Sequence, residues 1–292
     1  MSDAEKSEPH CGFIFATTGK DYTTLARRAA RNLKLVHPDA VIDIFTDQNI
    51  DDAVFDRIHP LSESWFRPKI EAIAKSRFER TICLDADAVV VGDLMPVFEL
   101  LDQFDIAACL DRNLNSRDGR LVYTDDLPVA YAQINTGVLA IRKNDTTQEL
   151  LKTWMQEMKT SGNKLDQPVF RQVLYTSDAR ICTLPPGYNL LTFNELKSWW
   201  GYYGAPRVLH SNFLHRRRGG PGNAETPFQL YELVGLRNAR RVRGLIHADY
   251  HLTPDASHAS RRMNSPLEPG GVRWLRRQIA PLYHWVLERK RR

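Results

Sequence analysis

The sequence predicts an α/β fold in which strands and helices alternate along the chain. The apolar run 12–16 ends in the small polar residues Thr17 and Thr18. An amphipathic stretch with Leu25, Ala29, Leu33 and Val36 on one face follows, and then a second apolar run, 40–47. That β-turn-α-β order opens a nucleotide-binding half of a doubly wound sheet. Further on, Thr81, Ile82, Cys83 and Leu84 read as a short core strand that ends at Asp85, Ala86 and Asp87. An acid at such a strand's end lies at the carboxyl edge of the sheet, where ligands bind. The length of 292 residues, 42% hydrophobic and 26% charged, accommodates one large globular α/β domain or two small ones.

The elements follow in order. Gly19, Lys20, Asp21 and Tyr22 turn the first strand into a helix over 23–36, which Pro38 stops. Ala16, Thr17 and Thr18 leave room for a ligand against the backbone, and Tyr22 either stacks on a base or packs on the sheet. Residues 65–69 open a second helix, with Pro68 in its first turn; it continues as 69–79 through Ile70, Ile73, Ala74 and Phe78, straight into the strand 81–84. Arg67 and Lys69 at its N-terminal end oppose the helix dipole, so either an anion compensates them or water solvates them. Residues 93–101 make a short helix with Asp93 at its start, and 104–110 a strand ending at Asp111. The polar loop 112–127 suits a lid near the site.

In the stretch 133–142, Asn135, Thr136 and Gly137 precede an apolar strand, 138–141. Gly137 allows a close approach, and Asn135 either meets sugar hydroxyls or makes a turn. Residues 146–159 form a helix whose Leu150, Leu151, Trp154, Met155 and Met158 face the core. Asp166 is either the N-cap of the next helix or a functional acid beside Gln167. A short strand, 181–186, is closed by prolines, 189–194 is irregular, and 208–212 puts His210 at the end of a last apolar run. A lone histidine there is ordinarily buried and hydrogen-bonded.

Beyond His215 the pattern changes. Residues 216–222 read as a flexible basic linker and 228–236 as a helix. Residues 205–292 carry 17 basic and 6 acidic side chains, against 23 and 29 in 1–204, so the net +5 of the chain sits on its tail. Residues 272–292 mix Trp274, Tyr283 and Trp285 with arginines, the composition of an interfacial helix on an anionic membrane, where each cation contributes about 1 kcal/mol. A solvated terminal helix and a nucleic-acid patch are the alternatives; the aromatic-aliphatic spacing favours lipid. No apolar run approaches membrane-spanning length, residues 1–8 are polar, and Cys11, Cys83, Cys109 and Cys182 match no metal knuckle. A cytoplasmic protein with free thiols, resting on a membrane through its tail, is the expectation.

Asp85 and Asp87 are two apart, so extended backbone turns both carboxylates the same way. Like charges that close repel unless a cation or water lies between them. A bare Asp-x-Asp is weak evidence, but apolar runs on both sides of this one argue against a solvated turn. The ordered set Lys69, Phe78, Thr81 to Asp87, Gly92-Asp93-Leu94, Val97-Phe98, Asn135 to Leu139, Trp154 and Asp166-Gln167 resembles the GT-A glycosyltransferases, the galactosyltransferase-like family 8 in particular, over residues 10–215.

That resemblance implies a single Rossmann-like α/β domain with a mostly parallel sheet and helices on both faces, followed by a basic extension over 216–292. It implies a UDP-sugar donor, with Asp85 and Asp87 holding Mn²⁺ or Mg²⁺ on the diphosphate and Asp85 near the ribose. His210 falls on the third metal ligand, Lys69 on a donor-binding cation, and Asn135, Asp166 and Gln167 on donor-sugar contacts, Gln167 nearest the anomeric carbon. Ala16, Thr17, Thr18, Tyr22, Ala86 and Thr136 complete the expected nucleotide-sugar site. The family's histidine is followed by Gly and then Lys-Pro-Trp, which the run His210 to His215 lacks. Either His210 or His215 therefore completes the metal set, and His215 or an arginine of 216–218 takes the phosphate contact.

Retaining chemistry needs no protein base, whereas inversion needs a carboxylate, for which Asp111, Asp166 and Glu195 are available; the resemblance favours retention. The expected acceptor is a saccharide or glycolipid. A nucleotidyltransferase with the same paired acids, and a non-catalytic binder of anionic lipid or RNA through 216–292, are the competing readings.

Overall fold

The computed structural model describes residues 9–62, 67–124, 127–216 and 220–252. The chain runs β1 (Cys11–Thr17), α1 (Lys20–Val36), β2 (Ile42–Thr46), β3 (Arg57–Pro60), α2 (Pro68–Ala74), β4 (Arg80–Leu84), β5 (Ala88–Val90), α3 (Met95–Leu100), β6 (Ile106–Leu110) and β7 (Ile134–Arg142). It continues through α4 (Asp145–Ser161), α5 (Asp166–Tyr175), β8 (Ile181–Thr183), β9 (Val208–His210) and α6 (Leu230–Ala248). Seven strands form one sheet in the order β3-β2-β1-β4-β7-β6-β8. Within it β7 alone runs against its neighbours β4 and β6; the other pairs are parallel. A separate ribbon pairs β5 antiparallel with β9. The expected α/β class, mostly parallel with helices on both faces, holds.

Alternation along the strands builds a core on each face. Phe13 and Phe15 of β1 join Ile42, Ile44, Leu25, Ala29 and Leu33 on the α1 side. Ile14, between them, joins Ile70, Ile73, Trp154, Val169 and Phe170 under α2, α4 and α5. A third cluster packs Val234, Ala239, Val242 and Leu245 of α6 on Leu190, Leu196, Trp199 and Leu209.

Several elements differ from the sequence expectation. The helix expected over 69–79 ends at Ala74, because Phe78 leaves it to lie flat on Gly12, where an added Cβ would come within 2.3 Å of the Phe78 ring. Asn135, Thr136 and Gly137 are inside β7 rather than before it. Asp166 is the first residue of α5 and makes no cap; Leu165 precedes it in extended backbone. β3, a polar edge strand, carries no apolar alternation that could announce it.

The segment after the expected boundary at 215 is bound to the body. Arg28 bonds the carbonyls of Pro221 and Thr226 at 2.8 and 3.0 Å and the Glu232 carboxylate at 3.0 Å, and Asn32 exchanges two hydrogen bonds with the Phe228 backbone. Arg207 and Asp249 form a buried ion pair at 2.9 Å. No described helix is long and apolar enough to cross a membrane. The expected tail helix over 272–292, together with Trp65, Phe66, Arg217 and Arg218, lies outside the described residues.

Candidate active site

The carboxyl ends of β1 and β4, the first part of β7, the first turns of α2 and α5 and the end of β9 meet at one cleft of about 450 Å³. β4 delivers Asp85, whose N–H donates to the Gly137 carbonyl at 2.9 Å and whose own carbonyl accepts from Ala88 N–H at 2.9 Å. That second bond closes a turn, so Asp85 and Asp87 share a direction through a bend and not through extended backbone. The turn leads into β5, whose Ala88 stands opposite His210 of β9, while Ser211 N–H donates to the Asp87 carbonyl at 3.0 Å. The ribbon thereby brings His210 onto the two acids across more than a hundred residues.

Ligand atoms of Asp85, Asp87 and His210 all lie within 4.8 Å of one another. His210 Nε2 is 3.1 Å from Asp87 Oδ1 and 3.8 Å from Asp85 Oδ2. His215, the other candidate third ligand, reaches the far oxygen of Asp87 at 2.7 Å, and its ring lies 4.6 Å from that of Tyr22. Burial alone would raise the Asp87 carboxyl, but the two imidazoles outweigh it and hold it well below the usual carboxylate range. Burial would likewise lower His210, and Asp87 more than reverses that, so the imidazole binds its proton more tightly than usual. Two carboxylates and one imidazole nitrogen are a hard, mostly oxygen donor set; they suit a divalent cation such as Mn²⁺ or Mg²⁺, and no thiolate joins them.

Lys69 enters from the first turn of α2. Its ammonium donates to Asp85 Oδ1 at 2.6 Å and to the Thr136 carbonyl at 2.9 Å, and stands 3.8 Å from Asp166 Oδ2. Burial opposes its charge, yet Asp85 and Asp166 raise its pKa above the lysine value. Asp166 is lowered in spite of its burial by Lys69 and Arg67, the latter at 3.6 Å. The compensating anions expected for Arg67 and Lys69 are thus the protein's own carboxylates.

Of the remaining predicted residues, Ala16, Thr17, Thr18 and Tyr22 line the cleft on the α1 side, and Ala86, Thr136 and Gln167 line it elsewhere. Thr17 is buried and its hydroxyl meets Thr23 at 2.9 Å, which rigidifies the end of β1. Asn135 does not line the cleft; it lies buried behind it. Its Nδ2 faces Asp111 at 3.4 Å, and Asp111 also accepts from Gln167 Nε2 at 3.0 Å. The side chains of 216–218, proposed for the phosphate, lie outside the described residues.

Two contacts of His210 are absent from the sequence reading. Asn189, in a short helical turn over Pro186–Asn189, is hydrogen-bonded to His210. Gly137 presents a bare backbone face to the His210 ring. The glycine itself marks a point of close approach in the sequence, but the approaching group is 73 residues away.

A family model described as nucleotide-diphospho-sugar transferase matches residues 26–220. Among solved structures, an active-site mutant of LgtC is similar with a TM-score of 0.53, at 15% identity over 82% of this chain and 96% of that one. Galactosyltransferase LgtC with donor and acceptor sugar analogs gives a TM-score of 0.50, also at 15% identity, over 80% and 96%. Apo glycosyltransferase GlyE of Streptococcus pneumoniae TIGR4 gives 0.51 at 17% identity, over 81% and 62%. No curated protein matches the chain. At these identities the structural likeness speaks to the fold, and the family match covers most of the chain. The chain belongs to the nucleotide-diphospho-sugar transferase family and is a glycosyltransferase of GT-A fold.

Proposed function

We propose that this glycosyltransferase is metal-dependent, takes a UDP-linked hexose as donor, and transfers the sugar with retention to a saccharide or glycolipid hydroxyl. The observation that carries the reading is the convergence of Asp85, Asp87 and His210 within 4.8 Å at the floor of a cleft large enough for a nucleotide-sugar. The one nitrogen in the set favours Mn²⁺ over Mg²⁺. A divalent cation there would neutralise the negative charge that builds on the β-phosphate as the sugar-phosphate bond breaks.

The chain's own residues then divide the work. Thr18 and Tyr22 line the cleft where a base would stack, with the Tyr22 ring braced by His215. Lys69 lines the cleft and holds Asp85 in place through its ion pair. Gln167 is held by its Nε2 on Asp111 and lines the cleft, which leaves its carbonyl oxygen free to meet the donor sugar, as the resemblance implies. Retention is supported by the state of the nearby acids. Asp111 accepts from Gln167 and Asn113, Asp166 is paired with Lys69 and Arg67, and Glu195 is paired with Arg112. All three carboxylates are engaged by protein groups, an arrangement that retention accommodates because it needs no protein base.

The arginines and aromatics of 272–292 lie outside the described residues, and the proposal that they meet an anionic membrane surface rests on the sequence. The test is release of UDP from a panel of UDP-sugars. We expect slow Mn²⁺-dependent hydrolysis of one donor, abolished by chelation and by Asp87→Ala; turnover that persists in both conditions overturns the reading.

A further inference from the structure

His210 is not held by the acids alone. Behind it runs a chain of buried amides. His210 Nδ1 is 2.9 Å from Asn189 Oδ1, Asn189 Nδ2 is 2.7 Å from Asn135 Oδ1, and Asn135 Nδ2 is 3.4 Å from Asp111 Oδ2. Asp111, Asn135, Asn189 and His210 are all buried.

The direction of this chain is fixed by chemistry. Gly137 N–H approaches the same Asn135 atom at 3.0 Å, and a backbone N–H only donates, so that atom is oxygen. The Asn189 group bonded to it must then be the NH₂. That leaves the Asn189 oxygen facing His210, so Nδ1 must carry the proton. The orientation of both amides follows from one backbone donor and is reinforced at the far end by Asp111, which accepts.

Two features of the fold make the chain possible. The β6–β7 ladder passes from Leu139 to Asn135, leaving residues 136–138 without a partner on β6. Such a bulge re-aims a side chain next to a site. Gly137, in that gap, has no Cβ, and the His210 ring occupies the space: an added Cβ would stand 2.6 Å from Nδ1 and 2.3 Å from Cε1.

We infer that Asn189 is a positioning residue of the metal site: through the relay Asp111–Asn135–Asn189 it keeps the proton on His210 Nδ1, so that Nε2 is the nitrogen offered to a cation beside Asp85 and Asp87. The inference deepens the proposed function and rests on its reading of Asp85, Asp87 and His210 as metal ligands. A ligating histidine whose second nitrogen is anchored in this way is fixed in tautomer and ring orientation, and loss of the anchor lowers metal affinity about 10–100-fold.

The experiment is a Mn²⁺ titration followed by electron paramagnetic resonance on the full-length wild type, Asn189→Leu and Asn189→Asp, with melting temperatures of the metal-free proteins alongside. Asn189→Leu keeps the side chain's size and removes the acceptor. Asn189→Asp keeps an acceptor for Nδ1–H but sets oxygen against oxygen at Asn135, which should cost stability. The relay predicts that Asn189→Leu loses about 10–100-fold in Mn²⁺ affinity while Asn189→Asp stays much closer to wild type, whatever their order of melting. A second readout uses Zn²⁺ as a diamagnetic probe. Long-range ¹H–¹⁵N correlations should show His210 protonated at Nδ1 and bound at Nε2 in the wild type, with that pattern lost in Asn189→Leu.

Mn²⁺ affinity that merely follows melting temperature across the variants, or is unchanged in Asn189→Leu, overturns the relay and leaves the metal site standing. A wild type that binds Mn²⁺ no better than Asp87→Ala overturns the metal reading itself, and the inference with it.

Discussion

Replacing Gly137 by alanine tests whether the site depends on the bare strand face under His210. The backbone there has no positive φ, so alanine introduces no backbone strain, and the effect comes from the added methyl alone. That methyl would sit 2.3 Å from His210 Cε1. Carbon atoms settle at ~3.5–4.0 Å, so the ring must withdraw by roughly 1 Å or more. Withdrawal pulls Nδ1 off Asn189, 2.9 Å away, and moves Nε2 relative to Asp87, 3.1 Å away. Overpacking of this kind costs about 1–3 kcal/mol, which for a chain of this size is a drop of several degrees, roughly 2–12 °C. An effect of similar size should fall on the cation: Mn²⁺ affinity down about 10–100-fold, as for a lost ligand anchor. Calorimetric titration of Mn²⁺ and a melting curve measure the two separately. A Gly137→Ala protein with lowered melting temperature but unaltered Mn²⁺ binding would refute the link between the glycine and the site.

Three other perturbations follow from the same contacts. Lys69→Met leaves Asp85 and Asp166 facing each other without their buried cation; unfolding in urea should show a loss of about 3–5 kcal/mol, and an unchanged midpoint would contradict the pairing. Asp105, far from the cleft, has its carboxyl held below the usual range: burial opposes this, but the Arg180 N–H, Arg142 and Asn144 outweigh it. Its stabilisation is therefore present above the unfolded carboxylate pKa of about 4 and drains away as pH falls through the lower folded value, so Asp105→Asn should flatten that part of the acid unfolding curve. A chain ending at Leu252 keeps α6 and its packing on Leu190 and Trp199. The full chain should bind anionic vesicles in a salt-sensitive way and this shorter chain should not; equal pelleting of the two would count against a membrane role for the tail.

The sequence made the strands and the acids legible because both are local. β1, β2 and β4 are short apolar runs with charged or polar ends, and Asp85 and Asp87 sit at the end of one of them. His210 could be named through the family resemblance, but its place beside the acids depends on the β5–β9 ribbon, whose three-residue strands carry no long-range signal. Asn135 was visible as a polar residue beside a glycine. That it faces Asp111 and Asn189 and not the cleft depends on a register shift at Ala108 and Cys109. Asn189 ends a short helical turn that reads as irregular in the sequence, with nothing to distinguish it until the fold brings it to the histidine. The helix α6 falls in the expected basic extension because basic residues and glycines precede it; its apolar face closes a core cluster and Arg28 binds the segment before it. Composition reported the charge of that region; it could not report where the apolar stripe would dock.

The most direct test of the account is calorimetric binding of UDP to the wild type and to Asp87→Ala, each with and without Mn²⁺. The account predicts that Mn²⁺ tightens UDP binding markedly in the wild type and has no effect in Asp87→Ala. UDP affinity that is indifferent to Mn²⁺ in the wild type, or equally enhanced by it in Asp87→Ala, would contradict the claim that these acids hold a cation against the diphosphate.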